Sequence, residues 1–161
     1  FADCKKLTSL DLSTFNTSQV TDMGSVKTSP DNIVGGMFQN CINLTNIIFG
    51  KNFKTNKVTN MSGMFDGCSN LISLDLSTFN TSQVTTMDYM FRGCCSLVSL
   101  NLRTFDTGNV YLAELMIADC TSLSNLILGP NFRLGDVHWN QYNGHDCEHL
   151  FPCLIQRLND A

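Results

Sequence analysis

Apolar and polar residues alternate in Leu74-Asp75-Leu76, the period-two pattern of a short strand with one buried face. Just downstream the period changes. Val84, Met87, Met90 and Phe91 are spaced by 3, 3 and 1 residues, and Cys94 follows 3 later. That spacing predicts one face of an amphipathic helix. Asn80-Thr81-Ser82 stands ahead of it and offers a cap or turn. The pattern therefore predicts a strand, a loop carrying Phe79, and a helix returning the chain to the next strand.

The same pattern recurs along the chain. Phe15, Phe53, Phe79, Phe105 and Phe132 are separated by 38, 26, 26 and 27 residues. Cys4, Cys41, Cys68, Cys94, Cys120 and Cys147 keep the same period, as do Val20, Val58, Val84, Val110 and Val137. A repeat of about 26 residues implies an array rather than a single packed domain. One repeat cannot bury its Leu, Phe and Met side alone, and stacking places like residue on like. All 7 Met residues fall on two such positions, and 9 of the 11 Phe residues on two more. These stripes read as core rather than as a cofactor box.

One stretch is copied verbatim: Leu10-Asp11-Leu12-Ser13-Thr14-Phe15-Asn16-Thr17-Ser18-Gln19-Val20-Thr21 returns as Leu74 to Thr85. With the preceding Cys-x-x-Leu and the following Met-Phe-x-x-Cys, the unit resembles the BspA-like leucine-rich repeats, the bacterial surface protein 26-residue repeat. The resemblance implies an α/β fold: a right-handed leucine-rich-repeat solenoid of about five strand–helix coils, closed by a degenerate C-terminal capping coil. It also implies an extracellular binding or adhesion module.

Residues 1–161 are read as one array. Two regions depart from the repeat. Residues 25–35 are an insertion in the first coil, rich in Ser, Pro, Asp and Gly, and read as a loop. Residues 147–161 form the degenerate terminal coil, interrupted by Pro152 and Cys153. The chain opens at Phe1-Ala2-Asp3-Cys4, matching the middle of the next unit at Phe38 to Cys41. It is accordingly expected to be a fragment of a longer array, with any signal or anchor outside it.

The strands should present an outward column of Asp11, Ile48, Asp75, Asn101 and Ile127, with Arg103 beside it. This is the expected partner-binding face, for a protein, matrix or host-surface ligand. It lacks the Tyr and Trp anchors of strong hot spots. The formal charge is −4, charged residues make up 15% of the chain, and no basic stripe is present, which argues against nucleic acid. No apolar run reaches the ~18 residues of a membrane span.

Six of the 8 cysteines keep the repeat period and read as buried thiols packing as small hydrophobes. Bridging between stacked coils is the alternative. Cys95 lies off the ladder and is expected nearer the surface. His145, Cys147, His149 and Cys153 offer zinc-type ligands, in a spacing that matches no standard finger. A Cys147 nucleophile beside His145 or His149 lacks any oxyanion hole. Asp11, Asp75 and Asn101 are a calcium column broken by Ile48. Four Asn-x-Ser/Thr matches begin at Asn16, Asn43, Asn60 and Asn80. The resulting expectation is a non-catalytic, cofactor-free module at the cell surface or secreted, binding or adhering through its strand face. A structural spacer or stalk is the alternative, and a small hydrolase a distant third.

Overall fold

The computed structural model describes residues 1–29 and 32–133. Among them are six short strands: β1 Ser9–Leu12, β2 Val26–Ser29, β3 Asn32–Val34, β4 Asn46–Phe49, β5 Ser99–Leu102 and β6 Asn125–Leu128. They contain no helix. The strand–helix solenoid expected from the sequence is therefore overturned, and with it the leucine-rich-repeat fold class.

The reason lies in the backbone hydrogen bonds. An α-helix needs each N–H to reach the carbonyl four residues back. Here alternate donors leave the segment. Met87, Tyr89, Phe91 and Gly93 donate to Leu112, Glu114, Met116 and Ala118 of the next repeat at 2.8 to 2.9 Å. The donors between them close tight turns: Met90 N–H to Met87 O, Arg92 to Tyr89 and Cys94 to Phe91, at 3.1 to 3.2 Å. Successive three-residue turns bring Val84, Met87, Met90, Phe91 and Cys94 to one side, and all five are fully buried. The burial inferred from their spacing is right, although the conformation is not helical.

A left-handed residue punctuates each unit. Asp3, Asn40, Gly67, Gly93 and Asp119 have φ of 60°, 57°, 73°, 70° and 59°, and each immediately precedes a ladder cysteine. Gly, Asn and Asp are the residues that adopt this conformation most readily.

Successive repeats pair in parallel and in register. Leu10 lies opposite Ile47 in the β1–β4 pair, and Leu100 opposite Leu126 in β5–β6. Leu74, the equivalent residue of the third repeat, lies in no strand. Ser73, Leu74 and Asp75 make no backbone bond to either neighbour, so the expected continuous sheet is two separate pairs. Leu10-Asp11-Leu12 and Leu74-Asp75-Leu76 are identical, yet only the first forms a strand. Pairing context decides here, not propensity. The turn side is joined by isolated parallel bridges linking Asp22, Asn60, Thr86 and Leu112.

Columns of like side chains fill the interior. The Phe38, Phe65 and Phe91 rings are fully buried and stack at 5.4 and 5.6 Å. Each such pair adds about 0.5–1.5 kcal/mol beyond area burial. Phe1 extends the stack at 5.7 Å but stays exposed. A second column runs through Phe53, Phe79 and Phe105.

A threonine column ties the repeats together. Thr17, Thr55, Thr81 and Thr107 are buried. Each hydroxyl donates to one backbone carbonyl of the next repeat and accepts from the N–H of that same residue: Lys54, Asn80, Asp106 and Arg133 in turn.

The insertion is not a plain loop. Residues β2 and β3 form an antiparallel hairpin with Val26 opposite Val34, anchored by the Ser25 N–H on Ser62 O at 2.6 Å. The terminal coil 147–161 lies outside the described residues, as do His145, Cys147, His149 and Cys153.

Candidate functional site: the strand face

The strand face is built by the polar positions that alternate with buried aliphatics, as Asn101 does between Leu100 and Leu102. Asp11 is brought opposite Ile48, and Asn101 opposite Ile127. Asp75 joins neither pair. All six expected contact residues, Arg103 included, are exposed.

The acidic and amide members of this column are occupied by a local task. Asp11 Oδ1 accepts the Ser13 N–H at 2.8 Å, Asp75 Oδ1 that of Ser77 at 2.9 Å, and Asn101 Oδ1 that of Arg103 at 3.0 Å. These are Asx turns. Hydrogen bonds from Ser13, its backbone N–H first, hold the Asp11 carboxyl below its ordinary range. Those from Ser77, its hydroxyl first, do the same for Asp75. A carboxylate bonded to donors favours its charged form.

Where Ile replaces the Asx residue, Gly stands two residues later. A Cβ on Gly50 would overlap the Ser13 carbonyl, and one on Gly129 the Arg103 carbonyl. The alternation of Asp, Ile, Asp, Asn and Ile is thus two local solutions to one turn. Among the described residues no cluster of three or more His, Cys, Asp or Glu could hold a metal ion.

What the turns do not consume is aliphatic. Ile48 is 49% exposed, Ile72 56%, Val98 49% and Ile127 37%. Ile72 and Val98 occupy equivalent positions in adjacent repeats, and both are exposed, Val98 just ahead of β5. Both are more exposed than Ile127, yet neither is in the contact set expected from the sequence. Their signal was a pair of aliphatics in a column otherwise made of Thr8, Thr45 and Ser124.

Chemistry elsewhere is quiet. Cys41, Cys68, Cys94 and Cys120 are buried free thiols. Each donates to a Phe carbonyl of the preceding repeat: Phe1, Phe38, Phe65 and Phe91, at 3.1 to 3.3 Å. Burial pushes the thiols of Cys68 and Cys120 up to about 12, and those of Cys41 and Cys94 upward as well. Cys4 is the most exposed of the described cysteines, and Cys95 is half-buried. Asp66 and Arg92 form a bidentate ion pair at 2.8 and 2.9 Å, and Gln39 donates to the same carboxylate at 3.1 Å. An open cavity of about 320 Å³ at the base of the hairpin is lined by Val20, Met23 and Met37, with Thr17 and Asp22 among its few polar groups. It contains no paired nucleophile and base. No helix among the described residues is long and apolar enough to cross a membrane.

These features define a repeat protein whose units are joined by parallel backbone pairing and tight turns. Residues 1–33 and 31–152 match the family described as Mycoplasma protein of unknown function, DUF285, and the chain belongs to that family. This corrects the resemblance to BspA-like leucine-rich repeats, which is a distinct family. The resemblance rested on the Cys, Leu, Phe and Met periods, and these record stacking rather than a strand–helix unit. No curated protein and no solved structure matches the chain.

Proposed function

We propose that this chain is a non-catalytic binding module of an exported or surface-held protein, engaging a protein or matrix partner through its strand face. The observation that carries the reading is the exposure of Ile48, Ile72, Val98 and Ile127, one from each of four consecutive repeats, in or just ahead of the strand segment. Neighbouring units place Thr, Ser, Asp or Asn at these positions, so the repeat itself does not require aliphatics there. Contiguous exposed apolar patches are the surface feature associated with protein interaction sites.

The test is charge insertion. Ile48→Lys with Ile127→Lys, and separately Ile72→Lys with Val98→Lys, should leave the melting profile unchanged and weaken adherence to immobilised host-surface or matrix protein. Normal folding with undiminished adherence would sink the reading.

A spacer is the second reading, favoured by the verbatim copy of Leu10–Thr21 at Leu74–Thr85. That copy preserves outward residues as faithfully as inward ones. A spacer needs repetition and no unique surface, so both charge-insertion variants would behave as wild type.

A further inference from the structure

The loop after β4 carries three lysines, Lys51, Lys54 and Lys57, all exposed. Phe53, Thr55 and Val58 alternate with them and point inward. The loop is therefore held from below while its cations face solvent. Lys54 is pinned further: its N–H donates to the Thr17 hydroxyl at 2.6 Å and its carbonyl accepts from it at 2.7 Å.

The neighbouring repeats carry no charge at the positions level with the three lysines; their carboxylates, Asp11 and Asp75, stand three residues ahead on the strand face. At the same three positions the first repeat has Thr14, Asn16 and Gln19, and the third has Thr78, Asn80 and Gln83. No acidic residue lies between Asp31 and Asp66 in the chain. Among the described residues none of the three lysines has an ion-pair partner, and Lys57 Nζ donates to the uncharged Gln19 Oε1 at 2.8 Å. On a chain of net charge −4 this is a local cationic strip on a preorganised backbone. It spans at most about 20 Å from Lys51 to Lys57.

We infer that this loop is a second binding surface, distinct from the strand face, and that it takes an anionic polysaccharide. Charge selects an anion, and the surroundings select its class. Asn52 and Asn56 on the loop, with Asn16, Gln19, Asn80 and Gln83 in the neighbouring repeats, are exposed amides; the oxygens of Asn16, Asn80 and Gln19 accept from Ser18, Ser82 and Lys57, so these three offer their amide N–H groups to sugar hydroxyls. Within the loop itself no exposed aliphatic or aromatic side chain stands between Lys51 and Lys57 to enter a bilayer; Phe15 of the neighbouring repeat is the one exposed ring near the equivalent positions of that repeat. Three lysines along one repeat also fall short of the basic stripe that tracks a nucleic-acid backbone.

Heparin serves as the probe. The wild-type chain should be retained on heparin resin at low salt and released as ionic strength rises. The variant Lys51→Thr/Lys54→Asn/Lys57→Gln gives this loop the residues that the first and third repeats already carry, so its fold is preserved. It should lose at least tenfold in affinity, on the order of what three lysine contacts to an anionic surface contribute. Lys5→Gln/Lys6→Gln removes two exposed cations elsewhere and should bind as wild type. The proposal is overturned if wild type is not retained, if the loop variant binds equally, or if the Lys5/Lys6 variant loses as much. Preferential binding to phosphatidylserine vesicles over heparin would also overturn it, assigning the loop to a membrane.

Discussion

The Thr81 hydroxyl donates to the carbonyl of Asp106 at 2.9 Å and accepts from the N–H of the same residue at 2.8 Å. One side chain thus satisfies both backbone groups of a residue in the next repeat, where no strand exists to do so. Thr81→Val keeps the shape and leaves a part-buried donor and acceptor without partners. It should lower stability by about 1–3 kcal/mol, while Thr81→Ser should retain most of it. Urea midpoints of the two variants check this. A Val variant as stable as wild type would show the column to be dispensable.

Phe79 is 2% exposed and Phe1 42%. Phe79→Ala should therefore cost about 3–5 kcal/mol, the range for emptying a buried Phe site, and Phe1→Ala much less. Denaturant melts giving equal losses would contradict the burial.

The cysteine column makes stability fall in alkali. The Cys68 and Cys120 thiols sit at about 12 in the folded chain against 9.0 unfolded. Above pH 9 the unfolded chain releases protons that the folded chain retains, so unfolding gains ground as pH rises toward 12. Cys68→Ala with Cys120→Ala should flatten that decline, as measured by melts from pH 8 to 11. In native protein a thiol reagent should label Cys4 before any of Cys41, Cys68, Cys94 or Cys120, because burial suppresses the thiolate. Mass mapping that finds Cys68 modified first would refute it.

Acid acts through Asp11 and Asp75. Their folded carboxyls lie below the ordinary 3.8, so their contribution is present above that value and lost as pH falls through the folded one. Asp11→Asn with Asp75→Asn keeps a turn acceptor and removes the titration. Its melting temperature should fall less than that of wild type between pH 5 and pH 2.5. Parallel curves would show the turns to be insensitive to charge.

The repeat and its core were legible in the sequence because stacked columns demand like residues. Phe65 over Phe91 and Cys68 over Cys94 leave a periodic trace in the chain. The turn conformation was not read. A three-residue spacing such as Val84, Met87 and Met90 satisfies both a helical face and consecutive tight turns, and burial cannot separate them. A discriminating signal did stand beside each ladder cysteine, in Asp3, Asn40, Gly67, Gly93 and Asp119. A residue type that favours positive φ, recurring every repeat, opposes an uninterrupted helix. On the candidate face, Ile48 and Ile127 were legible as outward aliphatics. The Asx task of Asp11 and Asp75 was not, since a carboxylate spent on its own backbone looks the same in sequence as one offered to a partner. Lys51, Lys54 and Lys57 run along one repeat rather than down a column, so the periodic pattern does not display them.

The in-register pairing bears on how such a chain can change length. Because Phe65 meets Phe91 as Phe38 meets Phe65, adding a whole unit by gene duplication creates only junctions of kinds already present. The Leu10–Thr21 text reappearing at Leu74–Thr85 is what such copying leaves behind. A one-residue change is absorbed only in the loops between columns: Phe15 follows Leu12 by 3 residues where Phe53 follows the equivalent Phe49 by 4, and Phe53 still stacks on Phe79 while Thr55 still bonds Asn80. Lineages carrying this architecture should therefore differ by multiples of the unit and by such small loop changes, and their larger irregular insertions should gather where the hairpin leaves the stack at Ser25 and returns at Gly35.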